Sequence, residues 1–253
     1  HLYKHNLMAH FNNKIVVITG GSDGIGKALV AQFLTLGAKV ATCARTSTKL
    51  NHLVDELKHP QLMVFTADVS KQQECEAFIK AVVAQWGTVD ILINNAGISM
   101  RALVSEVSVN TLKNVMDINF WGTVYCTMAA LPFIQQNKGV VVGVSSIAGY
   151  RGLPGRSGYS ASKFALNGWL ESLKTELYGS GTHVMWVCPG FTSSNIRNAA
   201  LNKNGDQQGE SPMDEGVMMS SEECASHIIK AIEQRKRTLV LTFTGKRTVF
   251  MNK

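Results

Sequence analysis

Hydrophobic residues along this chain follow two alternating patterns. Short, largely β-branched apolar runs occur at 14–19 (KIVVIT), 39–43 (KVATC), 62–66 (LMVFT), 91–94 (ILIN), 140–145 (VVVGVS), 183–188 (HVMWVC) and 238–241 (TLVL). Between them, segments 25–36, 48–57, 71–86, 110–136, 159–178 and 222–234 carry apolar residues at helical spacing and are long enough for helices. Strands that are apolar on both faces and joined by helical crossovers predict a parallel sheet covered on both sides. The expected fold is therefore α/β, Rossmann-like and doubly wound, with seven strands. No internal repeat, low-complexity stretch or linker divides the chain, so residues 14–253 read as a single domain. The polar interval 192–221 predicts a surface loop in a functional position. Residues 1–13 (HLYKHNLMAHFNN) lack the apolar stretch of a secretory signal, and they are expected to be a disordered start or an expression remnant outside the fold.

Composition narrows the classes. With 45% hydrophobic residues and 22 glycines in no triplet period, the 253-residue chain is neither disordered nor collagen-like. The uncharged run 118–136 contains Asn119, Pro132 and two glutamines, which suits a buried helix better than a bilayer span. The five cysteines are odd in number, far apart and without a CxxC pair, so reduced thiols, a cytoplasmic location and no metal site are expected. The net charge of +7 is local: residues 234–253 hold six basic side chains and no acidic one, which leaves +1 for everything upstream. A nearly neutral body does not predict nucleic-acid binding. The basic end reads as a solvated tail or as a weak contact with an anionic membrane surface.

Candidate chemistry begins after the first strand, where Gly20, Ser22, Asp23, Gly24, Ile25 and Gly26 form a glycine turn that opens a helix. Such a turn lets backbone N–H groups approach a pyrophosphate, and the helix dipole favours the negative charge. Gly20 and Gly24 permit the tight backbone, and Gly26 permits helix to pack on strand. The spacing is G-x-x-x-G-x-G rather than G-x-G-x-x-G. An NAD site usually presents a carboxylate at the end of the second strand. Here that place holds Arg45 and Thr46, with Ser47 and Lys49 beyond. A permanently charged guanidinium suits a 2′-phosphate, so NADP(H) is expected, although Asp23 sets a negative charge near the same place.

Three further motifs carry chemistry: Asn94, Asn95, Ala96 and Gly97 after the fourth strand, Ser145 and Ser146 closing the fifth, and Tyr159 with Lys163 opening a helix. Positions i and i+4 put phenol and ammonium on one helical face, at the carboxyl edge of the sheet where doubly wound folds bind ligands. A carbonyl that accepts hydride builds charge on its oxygen and needs a proton donor and a second hydrogen bond there. A free tyrosine, with a pKa of about 10, is too weak an acid near neutrality. The Lys163 ammonium would lower that pKa, making Tyr159 a general acid for reduction and a base for oxidation, with Ser146 holding the substrate oxygen.

Taken together, TGGSDGIG, ADV at 67–69, NNAG, INFWG around Asn119, VSSIAG, YSASK and the Pro189–Gly190 pair resemble the short-chain dehydrogenase/reductase family, over about residues 14–241. The resemblance implies that Asn119 joins Ser146, Tyr159 and Lys163 in a tetrad, its backbone helping to hold a proton-relaying water. It implies that Lys163 also binds the nicotinamide ribose, that Asp68 and Val69 meet the adenine, that Asn95, Ala96 and Gly97 line the cofactor, and that Pro189, Gly190 and Thr192 lie near its nicotinamide end. Asp68 could equally be a helix cap. The substrate implied is a carbonyl or secondary alcohol, with a lean toward steroids, long-chain keto bases and other lipophilic ketones. Ile196, Met213, Val217, Met218 and Met219 could cover such a substrate, and Arg101, Tyr150, Arg151 and Arg156 flank the expected pocket. The family also implies a homodimer or homotetramer packed through segments 110–136 and 159–178. A membrane-associated lipid keto reductase and a non-catalytic NADP-binding protein are the other readings of the same pattern.

Overall fold

The computed structural model describes residues 2–190, 192, 196, 199–209 and 218–252. In chain order the elements are α1 (Leu2–Phe11), β1 (Ile15–Thr19), α2 (Gly24–Thr35), β2 (Lys39–Ala44), α3 (Ser47–Leu57), β3 (Leu62–Thr66), α4 (Gln72–Trp86), β4 (Ile91–Asn94) and α5 (Val109–Met116). A π-helical turn (Asp117–Trp121) leads into α6 (Gly122–Gln136), followed by β5 (Val140–Val144), α7 (Ser157–Glu176), β6 (His183–Cys188), α8 (Ser221–Glu233), β7 (Thr238–Val240) and α9 (Phe243–Met251). All seven strands pair in parallel in the order β3-β2-β1-β4-β5-β6-β7. The expected doubly wound sheet is therefore present, in one domain.

The period of two along each strand builds two cores. Val16, Ile18, Ile91, Ile93, Val142 and Val187 face a layer that holds α2 and α8. Val17, Leu92, Val141 and Val184 face the layer of α4, α6 and α7. Strand order reverses between β1 and β4, and this opens a crevice at the carboxyl ends of the strands, the place such sheets offer to ligands.

One expectation needs correction. The opening residues are not outside the fold: α1 ends on Phe11, which is fully buried and meets the Phe33 ring edge-on at 5.2 Å. Segment 110–136 is helical throughout, as expected: α5, the π turn and α6 follow one another with helical backbone at each junction, and the π turn carries the buried Asn119. Helix α9, beyond the last strand, was not foreseen. Of the loop 192–221, Met213 and Val217 lie outside the described residues. Among its described parts, Thr192 bridges Met219 across the two ends of the loop, and Leu201 bridges Met100 of the body.

Candidate active site

A crevice of about 550 Å³ runs along the carboxyl ends of the strands. Its wall brings together Gly20, Ser22, Asp23, Gly24, Ile25, Gly26, Arg45, Thr46, Asp68, Val69, Asn95, Ala96, Gly97, Ser146, Tyr159, Lys163, Pro189, Gly190 and Thr192. Of the catalytic and cofactor-binding residues proposed from sequence, Asn119 alone is not in the wall; it stands behind Gly97.

The glycine turn is held from below. The buried Thr42 hydroxyl accepts from Gly21 N at 3.0 Å and donates to Ile18 O at 2.7 Å. Asn95 Nδ2 donates to the carbonyls of Thr19 and Gly20, both at 3.0 Å, which fastens the end of β4 to the turn after β1. Close approach explains the glycines. Gly20 has φ +69°, and a Cβ there would lie 2.9 Å from Ala96 Cα; one on Gly26 would lie 2.2 Å from Gly20 O. Asp23 caps α2 by accepting from Gly24 N at 2.8 Å, and its second oxygen meets Lys49 Nζ at 3.5 Å, so the negative charge near the crevice mouth is offset. Arg45 is exposed at that mouth. Asp68 does not cap α4, whose N-cap is Lys71; its Oδ1 accepts from Ser70 N and Oγ in a tight turn ahead of the helix.

At the other end, β5 runs into Ser146, whose Oγ accepts from Ala148 N at 3.2 Å and caps a short 3₁₀ turn. Helix α7 presents Tyr159 and Lys163 one turn apart, with Lys163 Nζ 5.6 Å from the Tyr159 ring centroid. Lys163 is 4% exposed and donates to Val144 O at 2.8 Å. Burial pulls its pKa down from 10.5 to about 8. Asn119 is pinned on three sides: Oδ1 accepts from Ile98 N at 2.8 Å, while Nδ2 donates to Ile98 O and to Ser162 Oγ, both at 2.9 Å. A Cβ on Gly97 would sit 3.2 Å from Asn119 Oδ1 and 3.7 Å from Lys163 Nζ, so both groups crowd the same face of that glycine.

The wall also includes Lys49, Ala67 and Ser145 from the motifs read in the sequence, and residues that sequence reasoning missed: Cys43, Ile98, Ser99, Ile118, Val144, Ile147, Leu153, Ala199 and Gln207. No local pattern marks most of them, since they meet only when the sheet assembles. Cys43 is fully buried and its thiol is pushed up to about 12, mainly by that burial, so it contributes bulk and no nucleophile. Of the four flanking residues, Arg156 joins the wall and donates to Ser99 Oγ at 3.0 Å. Tyr150 instead accepts from Trp186 Nε1, Arg101 bonds Gln208, and Arg151 is exposed. Ile196 lines the crevice, whereas Met219 packs against the core.

This arrangement, with Tyr159 and Lys163 on one face beside a glycine-lined crevice, matches a known family. The model described as short chain dehydrogenase covers residues 14–205. The chain belongs to the short-chain dehydrogenase/reductase family. The mouse protein named Dehydrogenase/reductase SDR family member 7B is 32% identical over 241 residues, covering 92% of this chain and 75% of that protein. The Arabidopsis thaliana 11-beta-hydroxysteroid dehydrogenase 1A is 37% identical over 187 residues, covering 72% of this chain but only 53% of its own length. Among solved structures, a short-chain dehydrogenase from Streptomyces avermitilis superposes with TM-score 0.84 at 26% identity, covering 94% of this chain and 91% of that one. A short-chain dehydrogenase/reductase from Burkholderia phymatum in complex with NAD gives 0.83 at 24% identity, covering 95% and 92%, a likeness of fold. The family is one of oxidoreductases that use a nicotinamide cofactor. The residues present fit such a group: side chains are missing at Gly20, Gly26 and Gly97, where a Cβ would crowd neighbouring atoms, and one continuous crevice joins the glycine turn to Lys163.

Proposed function

We propose that this short-chain dehydrogenase/reductase takes NADP(H) and moves hydride between it and a carbonyl or secondary alcohol, with Tyr159 as general acid and base. The observation that carries this reading is the position of the Lys163 amine, 5.6 Å from the Tyr159 ring in the wall that also holds the glycine turn.

The cofactor, when bound, supplies and accepts the hydride. Gly20 to Gly26 cradle its pyrophosphate at the N-terminus of α2. Asp68 and Val69 border the adenine, and Asn95, Ala96 and Gly97 lie along the cofactor, with Pro189, Gly190 and Thr192 at the nicotinamide end. Arg45 and Thr46 take the 2′-phosphate; the Lys49 contact to Asp23 removes the main electrostatic objection to a phosphate there. Lys163 spends one of its three donors on Val144 O and has two for the ribose and the proton path. In reduction, Tyr159 gives its phenolic proton to the substrate oxygen while Ser146 donates a hydrogen bond to the same atom. Lys163 stabilises the tyrosinate that remains, and a water held at the Asn119 backbone returns a proton to it.

Ile98, Ile147, Leu153, Ile196 and Ala199 form an apolar wall at the catalytic end, which favours a lipophilic ketone. Trp121, Met128 and Phe164 are exposed on the π turn, α6 and α7, which supports a homodimer or homotetramer built on those helices. The test is a panel of ketones offered with NADPH and NADH while nicotinamide absorbance is followed. Oxidation of NADPH with a lipophilic ketone is expected; binding of NADPH without turnover of any ketone would reduce the protein to a nucleotide binder.

A further inference from the structure

Helix α9 has nine residues and follows β7, the edge strand of the sheet. Its inner side is settled: Val249 is 7% exposed, and a Cβ on Gly245 would lie 3.5 Å from Ile147 Cγ2. Its outer side is unusual. Phe243, Lys246, Arg247, Phe250 and Met251 are spaced i, i+3, i+4, i+7 and i+8, so they share one helical stripe, and all five are exposed. Phe243 and Phe250 are 83% and 84% exposed, and Met251 67%. A helix face that only meets water carries polar residues, and three large apolar side chains around a pair of cations do not fit that pattern.

We propose that this face of α9 docks on an anionic lipid surface, with the two phenylalanines and Met251 entering the boundary between headgroups and acyl chains and Lys246 and Arg247 resting on lipid phosphates. Charge decides the occupant. Residues 234–253 contain no acidic side chain, and Arg235, Lys236 and Arg237 immediately precede β7, so the whole edge is one-signed and complementary to phosphatidylserine-type headgroups. Symmetric pairing of two α9 helices would instead bring Lys246 and Arg247 against their own copies. Because α9 leans on Ile147, which lines the catalytic end of the crevice, docking would set that end close to a reservoir of lipophilic ketones. The inference rests on the surface of α9 and stands apart from the cofactor assignment.

The experiment is co-sedimentation of the full chain with phosphatidylcholine vesicles, with and without phosphatidylserine, across a salt series. Pelleting is expected only with phosphatidylserine at low salt, fading as salt rises. Phe243→Ser with Phe250→Ser, and separately Lys246→Glu with Arg247→Glu, should each reduce partitioning at least ~10-fold while leaving the thermal midpoint unchanged. Failure of the unaltered chain to pellet with anionic vesicles at low salt would overturn the proposal without touching the enzymatic reading. So would undiminished pelleting of the serine variant, or light scattering that shows this variant to be a smaller oligomer than the unaltered chain, which would assign the face to self-association.

Discussion

Asn119 reaches Ser162 Oγ through Nδ2 at 2.9 Å, and that hydroxyl in turn donates to Tyr159 O at 2.7 Å. The loop after β4, the π turn and the first turn of α7, which carries Tyr159, are thereby one hydrogen-bonded unit. Asn119 is 1% exposed, so truncation leaves Ile98 N, Ile98 O and Ser162 Oγ without this partner at a largely buried junction. Asn119→Ala should lower unfolding free energy by at least ~2 kcal/mol in urea, and Ser162→Ala by ~1 kcal/mol. A denaturation curve for Asn119→Ala that overlays the unaltered protein would show that the brace carries no stability.

Lys163 gives a pH-dependent prediction. Burial lowers its folded pKa from 10.5 to about 8, so between those values the unfolded chain binds the proton more tightly than the folded one. The penalty for burying the charge is fully present below pH 8 and is relieved as pH rises toward 10.5, by roughly 3 kcal/mol. Without cofactor, stability should rise relative to Lys163→Met across that window. A difference between the two proteins that stays flat from pH 7 to 10 would contradict a buried ammonium.

Gly97 tests the crowding around the pair. The Cβ of Gly97→Ala would meet Asn119 Oδ1 at 3.2 Å and Lys163 Nζ at 3.7 Å. The variant should fold, with a thermal midpoint within a few degrees of the unaltered protein, and turn over ketone at least ~10-fold more slowly, since small displacements of positioned groups are costly. Unchanged turnover would mean that the amine has room to spare.

All seven strands were readable because each is a short apolar run between breakers, and so were the glycine turn and the Tyr159–Lys163 pair, which depend on local spacing. The π turn between α5 and α6 was not. DINFW contains neither Gly nor Pro, and Asn119 within it bonds Ile98, a partner 21 residues away that no local window shows. Helix α1 was missed because its apolar residues follow no helical period, and only the folded sheet reveals that Phe11 closes the core beside Phe33. Ser99, Leu153 and Gln207 reach the crevice from three separate segments, a convergence that no window of sequence contains.

The cofactor preference rests on Arg45. Losing a charge-assisted bond to a 2′-phosphate should lower kcat/KM for NADPH by roughly 10- to 100-fold in Arg45→Ala and leave NADH within about twofold. Equal losses with both cofactors would remove the assignment of NADP(H).

The central claim is the proton transfer, and Tyr159→Phe tests it with the loss of one oxygen atom. With a ketone that the unaltered protein reduces, turnover should fall by about 10²- to 10⁴-fold while NADPH still binds, as seen in titrated cofactor fluorescence. Turnover within a few-fold of the unaltered protein, with binding intact, would contradict the account.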